Sequence, residues 1–152
     1  MEKERHAARM EDRMGTNASI RPGLKGKARA LVRQEDLASS FGNPGVEVLS
    51  SMTLMTLLEK ASLACVEVFL HPDQMCVGSR MEMDHLAPTP EGFTVTASAE
   101  LVETKGSKLV FNVSAQDGRD QVAHGVHVRF LVDRAKFLDS VAAKKAAQGG
   151  EN

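Results

Sequence analysis

One segment limits the folds open to this chain more than any other. From Ser50 to about Leu70, the residues Leu54, Leu57, Leu58, Ala61, Cys65 and Val68 recur at helical spacing. Few positions are strongly polar until late in the run. Ser50 and Ser51 are good residues to open a helix, and His71-Pro72-Asp73 stops it. A helix that is apolar on most sides is expected to be buried on most sides. The rest of the chain has to supply a surface that wraps it.

That surface is legible as strands. Lys25 to Val32 alternates, with Ala28, Ala30 and Val32 on one face. Gln34 to Phe41 holds a helical turn, and Gly42-Asn43-Pro44-Gly45 breaks the chain. After the helix come four more strand-like segments. Cys76 to Leu86 sets Met81, Met83 and His85 on one side, and Phe93 to Glu103 alternates cleanly. Leu109, Phe111, Val113 and Ala115 mark the next. The last, Val122 to Val132, carries Val126, Val128, Phe130 and Val132 on one face and His127 and Arg129 on the other, which reads either as facing a phosphate-bearing ligand or, the favoured reading, as solvated. Ala87 to Gly92 reads as a turn, and short links between successive strands, such as it, Lys105-Gly106-Ser107 and Asp117-Gly118, imply antiparallel hairpins. The expected architecture is α+β: an antiparallel β-sheet wrapped around one long central helix, with no second long helix. The expected domain limits are a mobile arm over 1–23, the folded domain over 24–140 and a flexible tail over 141–152.

Bulk properties exclude several functions. With 152 residues the chain makes one domain. A net charge of -1 leaves no basic excess to neutralise phosphates, and aromatics at 4% give few platforms for stacking bases, so nucleic acid is not expected as a partner. Cys65 and Cys76 lack metal-site spacing, and Cys65 reads as a buried thiol acting as a small hydrophobe. No metal and no cofactor are expected. No apolar run approaches membrane-spanning length, and Met1 to Met14 mixes charges with no apolar stretch, so the expected location is cytoplasmic with no membrane contact.

Three residues could carry chemistry. Glu59 stands inside the most apolar helix, where a buried carboxylate would cost several kcal/mol, roughly, unless paired. Position alone leaves it open between that and the start of a polar face with Lys60. Ser51 lies two turns upstream; about 80° beyond two full turns separates the two, so both can address one side. Taken alone, Ser51 reads better as an N-cap. His85 shares a face with Met81 and Met83, where a lone histidine is more often structural than catalytic. No Gly-x-Ser-x-Gly elbow is present.

The stretch Val48-Leu49-Ser50-Ser51-Met52 through Leu58-Glu59-Lys60-Ala61, then Met83-Asp84-His85-Leu86-Ala87-Pro88-Thr89-Pro90-Glu91-Gly92, resembles the hotdog-fold thioesterase superfamily, and within it the fluoroacetyl-CoA thioesterase group. The likeness continues through Phe93-Thr94-Val95-Thr96, Val113-Ser114-Ala115-Gln116-Asp117-Gly118 and Gly125-Val126-His127-Val128-Arg129, covering roughly Lys25 to Leu138. It implies a hotdog fold, acyl-CoA thioester hydrolysis, and a catalytic set falling on Ser51, Glu59 and His85. It also implies a homodimer, extendable to a tetramer, in which the helix of one subunit faces the histidine strand of the other. Ser51 stands where that group has threonine. Its aromatic gate has no clear counterpart, since the corresponding place is near Gly45 with Phe41 the nearest aromatic, so a broader or different acyl-CoA substrate is expected. Arg80, Lys108 and Arg129 are candidates for the CoA phosphates. The competing reading is a hotdog protein that binds acyl-CoA without hydrolysing it. Retention of all three polar positions argues for the enzyme, since a binder has no need of a buried Glu59, and no hydratase signature is present.

Overall fold

A computed structural model describes residues 17–149. Helix α1 spans Ser51–Val66 and runs on into a 3-10 turn at Glu67–Phe69. Its N-cap is Ser50, whose Oγ accepts a hydrogen bond from the Thr53 amide at 3.0 Å. Ser51 is therefore the first helical residue, and its hydroxyl is not spent on capping. Leu54, Leu58, Ala61 and Val66 are completely enclosed. Truncating a leucine in such a place costs about 2–5 kcal/mol. The expected burial on most sides is only partly met: Ser51, Met52, Thr56, Glu59 and Lys60 are exposed and leave one face of α1 open.

Five strands wrap the other side. They are β1 (Lys25–Leu31), β2 (Gln74–His85), β3 (Thr94–Lys105), β4 (Lys108–Gln116) and β5 (Gln121–Asp133). The sheet is antiparallel throughout, in the order β1-β3-β4-β5-β2. Val95, Ala97, Ala99 and Leu101 of β3 and Leu109, Phe111, Val113 and Ala115 of β4 line the buried face, as their alternation requires. Helix α1 can lie close to β1 because Gly26 has no side chain: a Cβ there would overlap the Ala61 carbonyl. Cys65 sits in this core, where burial pushes its thiol up to about 11, so it behaves as a hydrophobe.

Three expectations change. The β2–β3 link is not a hairpin, because β2 pairs with β5 at the far edge of the sheet and β3 pairs with β1 and β4. The connecting segment contains Pro88 and Pro90, which give no amide to a hairpin ladder. A second long helix, α2, does exist. It spans Arg134–Gly149, beginning where the Lys136 amide donates to Asp133 Oδ1 at 3.0 Å, and carries no buried residue. Alanine, lysine and glutamine favour a helix without needing to pack, so composition that reads as a tail forms one. Finally, Asn17 and Ile20 are buried, Asn17 Nδ2 donates to the Phe69 carbonyl at 2.7 Å, and the Gly23 amide donates to Leu101. The last part of the expected arm is thus packed on the domain. The remainder of that arm and the final three residues lie outside the described residues.

Candidate active site

The first turn of α1 and the end of β2 meet. Ser51 Oγ lies 2.8 Å from His85 Nδ1. Ser51 is free for this contact because Ser50 does the capping. His85 is half-buried, and its Nε2 is buried without a hydrogen-bond partner among the described residues. Burial holds the His85 ring below the usual histidine range, opposed in part by the backbone of Ala87. A ring neutral at pH 7 can accept a proton, so the pair can act as hydroxyl and base. The amides of Ser51 and Met52 open the helix and have no intrahelical acceptor, which suits them to a developing oxyanion.

Glu59 does not join them. Eight residues along α1 is a rise of about 12 Å, and the Glu59 carboxylate lies instead beside His127, with Oε1 3.8 Å from Nε2. Its side chain is 49% exposed. The reading of Glu59 as a buried carboxylate is therefore corrected, and with it the argument that its burial separates an enzyme from a binder. The polar start of a helix face, shared with Lys60, is what the structure shows.

His127 and Arg129 are the surprise of the site. The solvated face assigned to them is overturned: His127 is 1% and Arg129 is 7% exposed, and both point to the helix side of the sheet. The pairing of β2 and β5 shifts between Gly78 and Arg80, a bulge beside which the Arg80 carbonyl accepts a bond from His127 Nδ1 at 2.7 Å. A carbonyl can only accept, so Nδ1 carries the proton. The neutral ring then offers Nε2 to Arg129 Nη1 at 3.3 Å. Burial lowers the His127 pKa, the Arg80 carbonyl opposes that shift, Arg129 adds to it and Glu59 opposes it. Arg129 also donates from Nε to Cys76 Sγ at 3.2 Å and from Nη2 to the Cys76 carbonyl at 2.8 Å. Gly78 makes room for this group, since a Cβ there would stand 2.9 Å from Glu59 Oε1. The sequence signal was available in Gly78, a glycine inside a strand, which marks the close approach of Glu59, His127 and Arg129.

The three cations proposed for phosphates do not converge. Arg80 pairs with Glu82 and stands opposite Val128, and Lys108 stands opposite Phe130, on the sheet face away from the helix. Arg129 is on the helix face and is occupied by Cys76 and His127. Gly45 is an exposed turn residue with φ +83°, in the segment leading into α1. A concavity of 470 Å³ lined by Lys25, Lys27, Glu100 and Asn112 includes none of Ser51, Glu59 or His85. Among the described residues, no three or more His, Cys, Asp or Glu side chains come together to hold a metal, and no helix is long and apolar enough to cross a membrane.

An antiparallel sheet curled around a central helix, with polar side chains at the helix face it leaves open, defines a hotdog-fold protein. The family model for the fluoroacetyl-CoA-specific thioesterase matches residues 32–135, and the chain belongs to that family; it is a thioester hydrolase. It is 35% identical over 101 residues to a fluoroacetyl-CoA thioesterase of Streptantibioticus cattleyicolor, covering 66% of this chain and 73% of the relative. Among solved structures, a threonine-to-serine mutant of a fluoroacetyl-CoA thioesterase in complex with acetyl-CoA superposes with a TM-score of 0.77 at 30% identity, covering 82% of this chain and 98% of the other. A thioesterase superfamily member from Thermus thermophilus shares the fold, with a TM-score of 0.82 at 22% identity over 87% of this chain and 98% of the other.

Proposed function

We propose that this chain hydrolyses a small acyl-CoA to the free acid and CoA, with Ser51 and His85 of one subunit and Glu59 of a second subunit forming the site. The observation that carries this is the Ser51–His85 contact at the open amino end of α1. It differs from the arrangement expected from the resemblance, in which the helix of one subunit meets the histidine of the other: serine and histidine already meet within one chain.

The thioester carbonyl sits against the first-turn amides of α1, whose dipole and N–H groups stabilise negative charge on its oxygen. Glu59 takes a proton from an attacking water. Ser51 holds the thioester, and His85, neutral until that proton is relayed to it from Glu59, passes it to the departing thiolate. Glu59 lies about 12 Å along the axis from Ser51, too far for both to touch one carbonyl within a chain. A two-fold axis near Met55 and Thr56 would set the open face of α1 against its copy and bring Glu59 of each chain to Ser51 of the other. Met52, 47% exposed on that face, and Leu86, 49% exposed next to His85, are apolar groups such a contact covers.

The test is thiol release from a panel of acyl-CoAs from acetyl to long-chain and aryl-acetyl forms, with the oligomeric state measured by sedimentation. Turnover of short acyl-CoAs by a dimer is expected. Tight binding without thiol release from any member would replace this reading with the non-catalytic acyl-CoA binder.

A further inference from the structure

Between β2 and β3 the chain runs through Pro88-Thr89-Pro90, which holds one amide in three residues. Such a segment cannot be fixed by backbone donors alone, and Thr89 is nonetheless completely enclosed. Its hydroxyl donates to Asp117 Oδ2 at 2.9 Å, in the turn between β4 and β5. The other oxygen of Asp117 accepts from the Arg119 amide at 3.0 Å and the Asp120 amide at 2.9 Å, so the carboxylate is itself rigidly held. On its other side, the Thr89 carbonyl accepts from the Leu49 amide at 2.8 Å. Leu49 is two residues before Ser51, and Thr89 is four residues after His85. One residue therefore ties together the turn at Asp117, the strand end that carries His85 and the chain entering α1.

We propose that the Thr89–Asp117 hydrogen bond is a positioning contact that sets the separation of Ser51 from His85; the proposal rests on the reading of that pair as part of the hydrolytic site. Neither Thr89 nor Asp117 bonds to Ser51 or His85, so the effect is transmitted through Leu49 and through the segment 86–89. Leu86 is pinned separately, its amide donating to the Val122 carbonyl at 2.8 Å, so the strand end has a fixed point on one side and the Thr89 tie on the other. Burial alone would raise the Asp117 pKa, but bonds from the Asp120 and Arg119 amides and the Thr89 hydroxyl outweigh it and hold the carboxyl below the usual range. The bond is charge-assisted at any pH near neutrality, and such bonds are roughly twice as strong as neutral ones.

The experiment compares wild type with Thr89→Val, Thr89→Ser and Asp117→Asn in acyl-CoA thiol release well below each melting temperature, and follows the His85 imidazole by ¹⁵N NMR. Val113→Ala on β4 serves as a control that loses stability by core truncation alone. Thr89→Val is expected to lose kcat by on the order of 10- to 100-fold, the scale of a small misplacement of reacting groups, with KM within about twofold, and to shift the His85 Nδ1 resonance. Thr89→Ser keeps the hydroxyl and is expected to restore both. A Thr89→Val protein with lowered Tm but wild-type kcat and an unmoved His85 resonance would overturn the proposal and leave the bond a plain structural staple. If Thr89→Val does not fold, Asp117→Asn with unchanged kcat and resonance overturns it equally. If wild type releases no thiol from any acyl-CoA, the hydrolytic reading fails by itself, and the His85 resonance still decides whether Thr89 sets the ring.

Discussion

Ser51 Oγ and His85 Nδ1 stand 2.8 Å apart within one chain, while Glu59 on the same helix lies beside His127, 3.8 Å from its Nε2. The division has a direct consequence for mixed dimers. If Glu59 acts on the partner's Ser51–His85 pair, a dimer of one Ser51→Ala chain and one Glu59→Gln chain contains one intact site, and mixing two inactive proteins restores thiol release. Mixing Ser51→Ala with His85→Ala restores nothing, because neither chain has the pair. The reverse pattern would place serine and glutamate on one chain against histidine on the other.

Gly78 offers a substitution that separates folding from chemistry. Its Cβ would meet the end of a flexible Glu59 side chain, which can swing away. Gly78→Ala is expected to keep its Tm within a few degrees while losing turnover, because the carboxylate is displaced. Gly26→Ala and Gly125→Ala would overlap the backbone carbonyls of Ala61 and Glu82, which cannot yield. Both are expected to lose about 1–3 kcal/mol or more. Thermal melts and kcat for the three variants check this; equal Tm losses in all three would contradict it.

Acid sensitivity follows from the buried histidines. Burial is the largest cause holding both His85 and His127 below the ordinary histidine pKa. The unfolded chain takes up protons below about pH 6.5, where the folded chain resists them. The stability they contribute is therefore complete above that pH and is lost as pH falls toward their folded values. Tm is expected to drop between pH 7.5 and 5, with each kcal/mol lost worth roughly 2–4 °C in a domain of this size. His127→Asn should flatten the slope. Asp117 has the same sign but acts only below about pH 4, where an ordinary carboxylate begins to protonate, so it does not enter this window. A Tm flat across the range would contradict the assignment.

Much of the architecture was legible because it rests on local periodicity. The run from Leu54 to Cys65 can only be a helix that needs covering, and the alternation from Phe93 to Leu101 can only be a strand with one buried face. The family resemblance carried by His85 to Gly92 added the fold name and the thioesterase function. What stayed hidden depends on partners far away in sequence. Nothing local to Met81 or Met83 says that β2 lies beside β5 instead of β3. On β5, Val126, Val128, Phe130 and Val132 are more apolar than His127 and Arg129, yet the latter face the helix, because Cys76, the Arg80 carbonyl and each other satisfy them. A polar residue can be buried wherever its bonds are met, and one-dimensional patterns do not show which bonds those are. Glu59 is the converse: its apolar neighbours on α1 suggested burial, but the sheet covers only one side of that helix.

The most direct measurement is steady-state thiol release from the best short acyl-CoA by wild type, Glu59→Gln and His85→Ala, with Tm recorded for each. Glu59 is half-exposed, so its variant should keep stability within about 0.5 kcal/mol. Loss of general acid–base catalysis in each variant should reduce kcat by about 10²–10⁴-fold. Wild-type turnover in both folded variants would contradict the account at its centre.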